Sequence, residues 1–270
     1  MSPCDRMRTV LICHHDDPMN RRGLAAWLGS FTDLVGLVVI RENKKRLARR
    51  IRREIRRVGL LRFADVVAFR TYYRLFLGSN DQEWERQRLC QLTEAYGNPP
   101  ATARVVETAD PNARAVEAVI RELAPDLMIA RCKTLLKPRV FNIPVHGTFV
   151  MHPGICPEYR NAHGCFWALA RGDRGNVGAT LLKIDEGVDT GPVYGYFRCD
   201  ADEFNESHVM VQHRAVLDNL DSLKAKLLEI GKGRADTVDT TGRPSHEWGQ
   251  PWLTAYLVWK LKARWRRRCT

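Results

Sequence analysis

The residues best placed to do chemistry lie between Gly147 and Val193, in the stretch GTFVMHPGICPEYRNAHGCFWALARGDRGNVGATLLKIDEGVDTGPV. A β-branched and aromatic run (Thr148, Phe149, Val150) leads into His152-Pro153-Gly154, the pattern of a strand stopping at an exposed turn. A second apolar run, 179–184, ends in Asp185-Glu186-Gly187-Val188-Asp189-Thr190-Gly191. Two strand ends thus each present a titratable group on a glycine-loosened loop, and ligands of open α/β sheets bind just beyond such ends. An imidazole beside a carboxylate is an acid/base pair suited to moving a proton at a reacting centre.

The elements that must hold this pair are legible on both sides of it. Residues 9–13 read as a first strand, followed by a polar loop (His14-His15-Asp16-Asp17-Pro18), a helix near 22–28 and a second strand at 34–40. This strand-helix-strand alternation predicts an α/β fold, a Rossmann-like and mostly parallel sheet with helices on both faces. Leu47, Ala48, Ile51, Ile55 and Val58 recur at helical spacing on a basic helix, and 63–77 continues as an apolar one. Further elements are predicted as a helix over 110–123, strands at 126–130 and 194–199, and one long closing helix over 207–230. The resulting division is a catalytic domain over 7–232 with a helical, basic insertion at 41–100, a polar linker over 233–250, and a basic amphipathic tail over 251–270.

A chain of 270 residues can bury a full core. Residues 41–62 carry eleven Lys/Arg against two Glu and residues 251–270 six Lys/Arg and no acid, so the net charge of +12 belongs to these two segments and the remaining body is slightly acidic. The eight cysteines form no Cys-x-x-Cys and read as reduced thiols, with Cys156 and Cys165 as packing residues. Without an apolar run of membrane-spanning length or a signal-peptide pattern, a cytoplasmic location is expected.

The stretch resembles the folate-dependent formyltransferases, the group that includes the glycinamide ribonucleotide, methionyl-tRNA and sugar-nucleotide enzymes. Gly147, His152, Pro153, Pro157, Tyr159, Arg160, Gly178, Thr180, Asp185, Gly187, Asp189 and Gly191 fall at the family's motif positions. Upstream, 125–130, Leu135-Leu136 and Ile143-Pro144 match its strand-and-loop run. The resemblance implies the formyltransferase fold, 10-formyltetrahydrofolate as formyl donor and a primary amine as acceptor. It implies His152 and Asp189 as catalytic residues, and Leu135, Leu136, Asp185, Gly187 and Val188 as the frame around the donor's pteridine. It also implies contacts to the acceptor from His14, Asp16, Asp17, Tyr159 and Arg160.

One position departs from the family: Val150 stands where its catalytic Asn would be. An oxyanion donor is typically worth on the order of 100- to 1,000-fold in rate, and Val donates nothing. Asn161 and His163, in a segment that also lacks the family's Gly after Tyr-Arg, are the candidates to bring a donor back. The alternative for Asn161 is a helix N-cap. Two other functions stay open on the same fold: hydrolysis of formyltetrahydrofolate, and folate or ligand binding without catalysis. The His14-to-Asp17 loop superficially resembles a deacetylase zinc motif, but Pro18 replaces its Glu and no metal is expected.

For the acceptor, an amino sugar, nucleotide- or lipid-linked, or another small amine fits better than tRNA. The tail interleaves Trp252, Leu253, Tyr256, Leu257, Trp259, Leu261 and Trp265 with six cations. That composition suits an anionic membrane interface, placing the protein peripherally at the inner face. Nucleic acid suits it less well, and docking of the aromatics on the body or a second subunit is the plain structural alternative. The oligomeric state is left open.

Overall fold

The computed structural model describes residues 6–41 and 44–268, the side chains of 44–50, 53 and 268 excepted. Seven strands form the main sheet: β1 (Arg8–His14), β2 (Asp33–Ile40), β3 (Arg104–Thr108), β4 (Leu127–Arg131), β5 (Gly147–His152), β7 (Gly178–Lys183) and β8 (Val193–Arg198). Their order is β3-β2-β1-β4-β5-β7-β8. The first five run parallel, and β7 and β8 are added antiparallel. A short ladder joins β6 (Arg160–Asn161) to β9 (Glu247–Trp248).

The central strands are apolar through most of their length because both of their faces are buried. In β1, Leu11 and Cys13 enter one core and Val10 and Ile12 the other. The smaller core is closed by α4 (Arg114–Leu123) and α5 (Pro138–Phe141). The larger is closed by α1 (Ala25–Phe31), α3 (Gly78–Tyr96), α6 (Gly164–Arg171), α7 (His208–Leu217), α8 (Leu220–Gly231) and α9 (Leu253–Arg268). Between β2 and α3, α2 (Lys44–Tyr72) consists of two helical stretches meeting at Gly59, whose φ of 78° suits glycine. Its basic first part includes Leu47 and Ala48, whose side chains lie outside those described.

Three features differ from the sequence reading. The closing helix is two helices, interrupted where the Asn219 amide donates to Arg198 O (3.1 Å) and Ala215 O (3.0 Å), a local side-chain bond that competes with helix continuation. The edge strand β3 was not anticipated, because Arg104, Val105 and Glu107 are exposed and give no buried-strand pattern. The polar linker contains β9, and its Trp248 packs on the body.

The tail is a docked helix up to the last described residue. Tyr256, Trp259 and Ala263 are buried at 2%, 0% and 2% exposure. Trp259 Nε1 donates to Glu203 at 2.6 Å, and Arg266 and Arg174 pair with the same buried carboxylate. Burial lowers the Lys260 ammonium to about 8, and it donates to the carbonyls of Glu203 and Glu206 at 2.7 Å each. Trp259→Ala is expected to cost about 3–5 kcal/mol in urea unfolding, the usual penalty for truncating a buried Trp. A loss under about 1 kcal/mol would show that α9 contributes little to the core.

Candidate active site

The site is built on the end of β5. This strand lies between parallel β4 and antiparallel β7, with His152 opposite Thr180 and Val150 opposite Leu182. His152 is 5% exposed, so the turn that was expected to be open is folded back over the ring. The ring's Nε2 donates to Tyr159 O at 2.8 Å. The chain returns this closely because two glycines touch: a Cβ on Gly164 would meet Gly154 Cα at 2.6 Å and Tyr159 O at 2.7 Å. The Thr180 hydroxyl, fully buried, donates to Gly154 O (2.7 Å) and accepts from Cys156 N–H (3.0 Å).

The second loop is shaped by Asp185, which accepts from Gly187 N–H (3.0 Å) and from Thr190 Oγ1 (2.7 Å). Asp189 then points back to His152, with Oδ2 3.3 Å from Nδ1. The same Oδ2 accepts the Asn161 backbone N–H at 2.8 Å. Asn161, His163 and Asp189 have φ of 75°, 57° and 52°. Such conformations are uncommon for residues other than glycine, and their concentration around one imidazole marks a strained, over-determined site. Both ring nitrogens of His152 face oxygen atoms, Nε2 that of Tyr159 and Nδ1 that of Asp189.

Beside this pair opens a cleft of about 540 Å³, its mouth included. Its walls include Ala130, Val150, Leu182 and Ile184, and the five residues expected around the donor, Leu135, Leu136, Asp185, Gly187 and Val188, all line it together with Asp189. Asn112, only 7% exposed, holds the loop that carries the leucines by donating to Leu135 O (2.9 Å) and accepting Lys137 N–H (2.7 Å). Val150 leaves an apolar surface on the wall where the family motif has its amide. Thr134, which the sequence reading passed over, places a hydroxyl-bearing side chain on the same lining.

The other sequence-predicted residues are placed differently. The Asn161 amide donates to Trp248 O (2.7 Å) and Glu247 (3.1 Å), so the side chain fastens β9; the α6 cap position is His163. His163 accepts from Gln212 Nε2 at 3.0 Å and lies 5.5 Å, centroid to centroid, from His208. Tyr159 is buried, donating to Asp173 (2.7 Å) and stacking on Trp248. Arg160 spans from Val188 O (2.8 Å) to Ser245 (2.9 Å) and steadies the loop.

In the first-strand loop, His14 accepts Lys133 N–H at 3.0 Å and so couples the ends of β1 and β4. Asp17 receives Asn20 N–H at 3.0 Å, and Asp16 is exposed. Arg131, which sequence reasoning missed, joins Asn20 Oδ1 (3.1 Å) to Met151 O. Burial lowers its pKa, and an arginine ending an otherwise apolar strand was the available signal. Burial raises the Cys156 and Cys165 thiols, in keeping with packing roles. The six described cysteines are free thiols, Cys4 and Cys269 lying outside the described residues. Among the described residues, no three His, Cys, Asp or Glu side chains gather to hold a metal.

The sequence profile described as formyl transferase matches residues 79–221, just over half of the chain. The chain belongs to the formyl transferase family. The methionyl-tRNA formyltransferase of Kosmotoga olearia is 32% identical over 146 residues, 53% of this chain and 40% of that protein. That of Dehalococcoides mccartyi (strain CBDB1) is 39% identical over 79 residues, 29% of this chain and 25% of that protein. The chain thus spans less than half the length of the curated relatives it matches. A sugar N-formyltransferase from a Shewanella species superposes with a TM-score of 0.56 at 12% identity, covering 95% of this chain and 87% of that one. A phosphoribosylglycinamide formyltransferase from Anaplasma phagocytophilum gives 0.56 at 12%, covering 92% and 100%. At such identities the likeness is one of fold, and it shows the formyltransferase sheet expected from the sequence.

Burial lowers His163 to about 4 and His208 well below its ordinary value, so the folded chain keeps both neutral. The unfolded chain takes up protons that the folded chain refuses, so stability falls as pH drops from 6.5 toward 4. Each such proton contributes a slope of about 1.4 kcal/mol per pH unit. Urea unfolding across this window is expected to show a shallower fall for His163→Gln than for the wild type. An unchanged slope would mean that His163 titrates alike in both states.

Proposed function

We propose that this chain transfers a formyl group from 10-formyltetrahydrofolate to a primary amine of a small or sugar-linked acceptor. The observation that carries the reading is the His152–Asp189 pair, 3.3 Å apart at the edge of the cleft. The cleft suits the donor's pteridine: Leu136, Val150, Leu182 and Ile184 offer an apolar wall, and the backbone from Asp185 to Asp189 offers polar edges. The donor, when bound, supplies an activated formyl carbon.

The protein's part is to manage charge. Attack by the amine places negative charge on the formyl oxygen and leaves an excess proton on the attacking nitrogen. Asp189, the carboxylate shared by the cleft and the imidazole, takes that proton and returns it to the donor nitrogen as the carbon–nitrogen bond to it breaks. His152, held through Nε2 by Tyr159 O, stands at the reacting centre and helps to stabilise the oxygen. Asp185 and Arg160 position Asp189 by fixing its loop.

Val150 favours a second reading, donor binding without turnover. Calorimetry with a stable 10-formyltetrahydrofolate analogue and a formyl-transfer assay separate the two. Turnover in the wild type is expected to fall on the order of 100- to 10,000-fold in both His152→Ala and Asp189→Asn, with analogue binding retained in Asp189→Asn. Near-normal turnover in both variants would overturn the mechanism, and analogue binding with no turnover on any amine would establish the second reading. Release of formate in the absence of amine would mark a hydrolase instead.

A further inference from the structure

The inward face of α2 beyond Gly59 is fully used. Asp65 accepts Thr254 N–H (3.1 Å), Arg62 lies 4.2 Å over the Trp252 ring, and Phe69 and Tyr72 pack against Tyr256 at 5.1 and 5.8 Å. The outward faces of this helix and of α9 are different. Leu60 and Leu61 are 74% and 92% exposed, and Leu75 and Phe76, in the π-helical turn Tyr73–Leu77 that continues α2, are 68% and 63% exposed. On α9 the exposed positions Leu257, Val258, Leu261 and Trp265 share one face, with Trp265 at 69%. These two elements pack on each other, so their unpartnered apolar faces are carried by adjoining helices.

Charge identifies the occupant. The apolar positions are interspersed with exposed Arg70, Arg74, Lys262 and Arg264. Between Leu60 and Leu77 the sequence holds a single carboxylate, Asp65, which is engaged by Thr254, and α9 holds none. Pairing of this region with itself in a second copy would set cations against cations, since a two-fold contact repeats the same patch on both sides. Six of the eight apolar positions, Leu60, Leu61, Leu75, Leu257, Val258 and Leu261, are aliphatic and offer no ring for nucleic-acid bases to stack on, with Phe76 and Trp265 the two that do. An anionic bilayer satisfies both features at once, taking aliphatic and Trp side chains into its interface and cations against its headgroups.

We propose that the outward faces of α2 beyond Gly59, the turn at Leu75–Phe76 and α9 form a docking surface for an anionic lipid membrane. The protein lies on the bilayer without crossing it; among the described residues no helix is long and apolar enough to span. This inference rests on exposure and charge, independently of the formyl-transfer reading. The inward faces of the same helices reach the site: Phe69 and Tyr256 contact His208, which packs on His163.

The test is co-sedimentation of the full chain with vesicles of phosphatidylcholine alone and of phosphatidylcholine mixed equally with phosphatidylglycerol. Binding is expected on the mixed vesicles only, weakening as salt is raised. The triple variant Leu61→Glu, Phe76→Glu, Leu261→Glu, whose sites are exposed, is expected to retain the wild-type circular dichroism. Its binding should fall at least about tenfold, through lost apolar insertion and added repulsion. Arg74→Ala with Arg264→Ala is expected to lower binding by about tenfold or more, each cation contributing a several-fold factor. Sedimentation equal on both vesicle types, or unchanged in the triple variant, would overturn the proposal. So would a concentration-dependent dimer abolished by the triple variant in a protein that ignores vesicles, which would give the surface to a second copy.

Discussion

The contact on which the site depends is the hydrogen bond from the His152 ring to the carbonyl of Tyr159, at 2.8 Å. A carbonyl seven residues downstream reaches the ring only if the chain doubles back at van der Waals distance from itself. Gly154 and Gly164 permit that, because any side chain at either position would overlap backbone atoms of the other limb. Once Nε2 is anchored, the ring can turn only Nδ1 toward Asp189. The orientation of the imidazole is therefore decided by backbone packing, before any ligand arrives.

The cost of this arrangement appears as strain in the surrounding chain. Asn161, His163 and Asp189 adopt left-handed backbone conformations, each fixed by a long-range partner: Trp248, Gln212 and Asn161 respectively. A single such residue costs of the order of 1–3 kcal/mol. The sheet beneath is in a position to hold them, since the strands carrying His152 and Thr180 are paired and their side chains nearly or fully buried. Paired strands support a strained turn, and the turn fixes the imidazole and the carboxylate at the edge of an apolar cleft.

Most of the strands and the nearness of His152 to Asp189 were legible in the sequence, because both are written in short segments. Apolar runs buried on two faces announce β1, β2, β4 and β5, and the His and Asp follow their strands directly. The lining of the cleft was readable for the same reason, Leu135 and Leu136 and the Asp185–Val188 loop being contiguous. What escaped depends on residues far apart in the chain. Asn161 is claimed by Trp248, 87 positions later, and Arg131 reaches Met151, 20 positions later. Periodicity and local motifs carry no record of such pairings. The exposed edge strand β3 escaped for another reason, since nothing buries it enough to impose a pattern.

The ladder between β6 and β9 has a consequence for how the molecule is made. The seven strands of the sheet are all present once residue 198 has been synthesised, yet the turn that holds the reacting pair is still missing its outer wall. Asn161, Arg160 and the Trp167 indole await partners at Trp248, Ser245 and Gly249. During vectorial synthesis the scaffold can therefore assemble while this turn is unfinished, and its outer wall closes only once residues 245–249 have been made. Residues 245–249 thus act as the closing step of assembly for a turn more than eighty positions upstream.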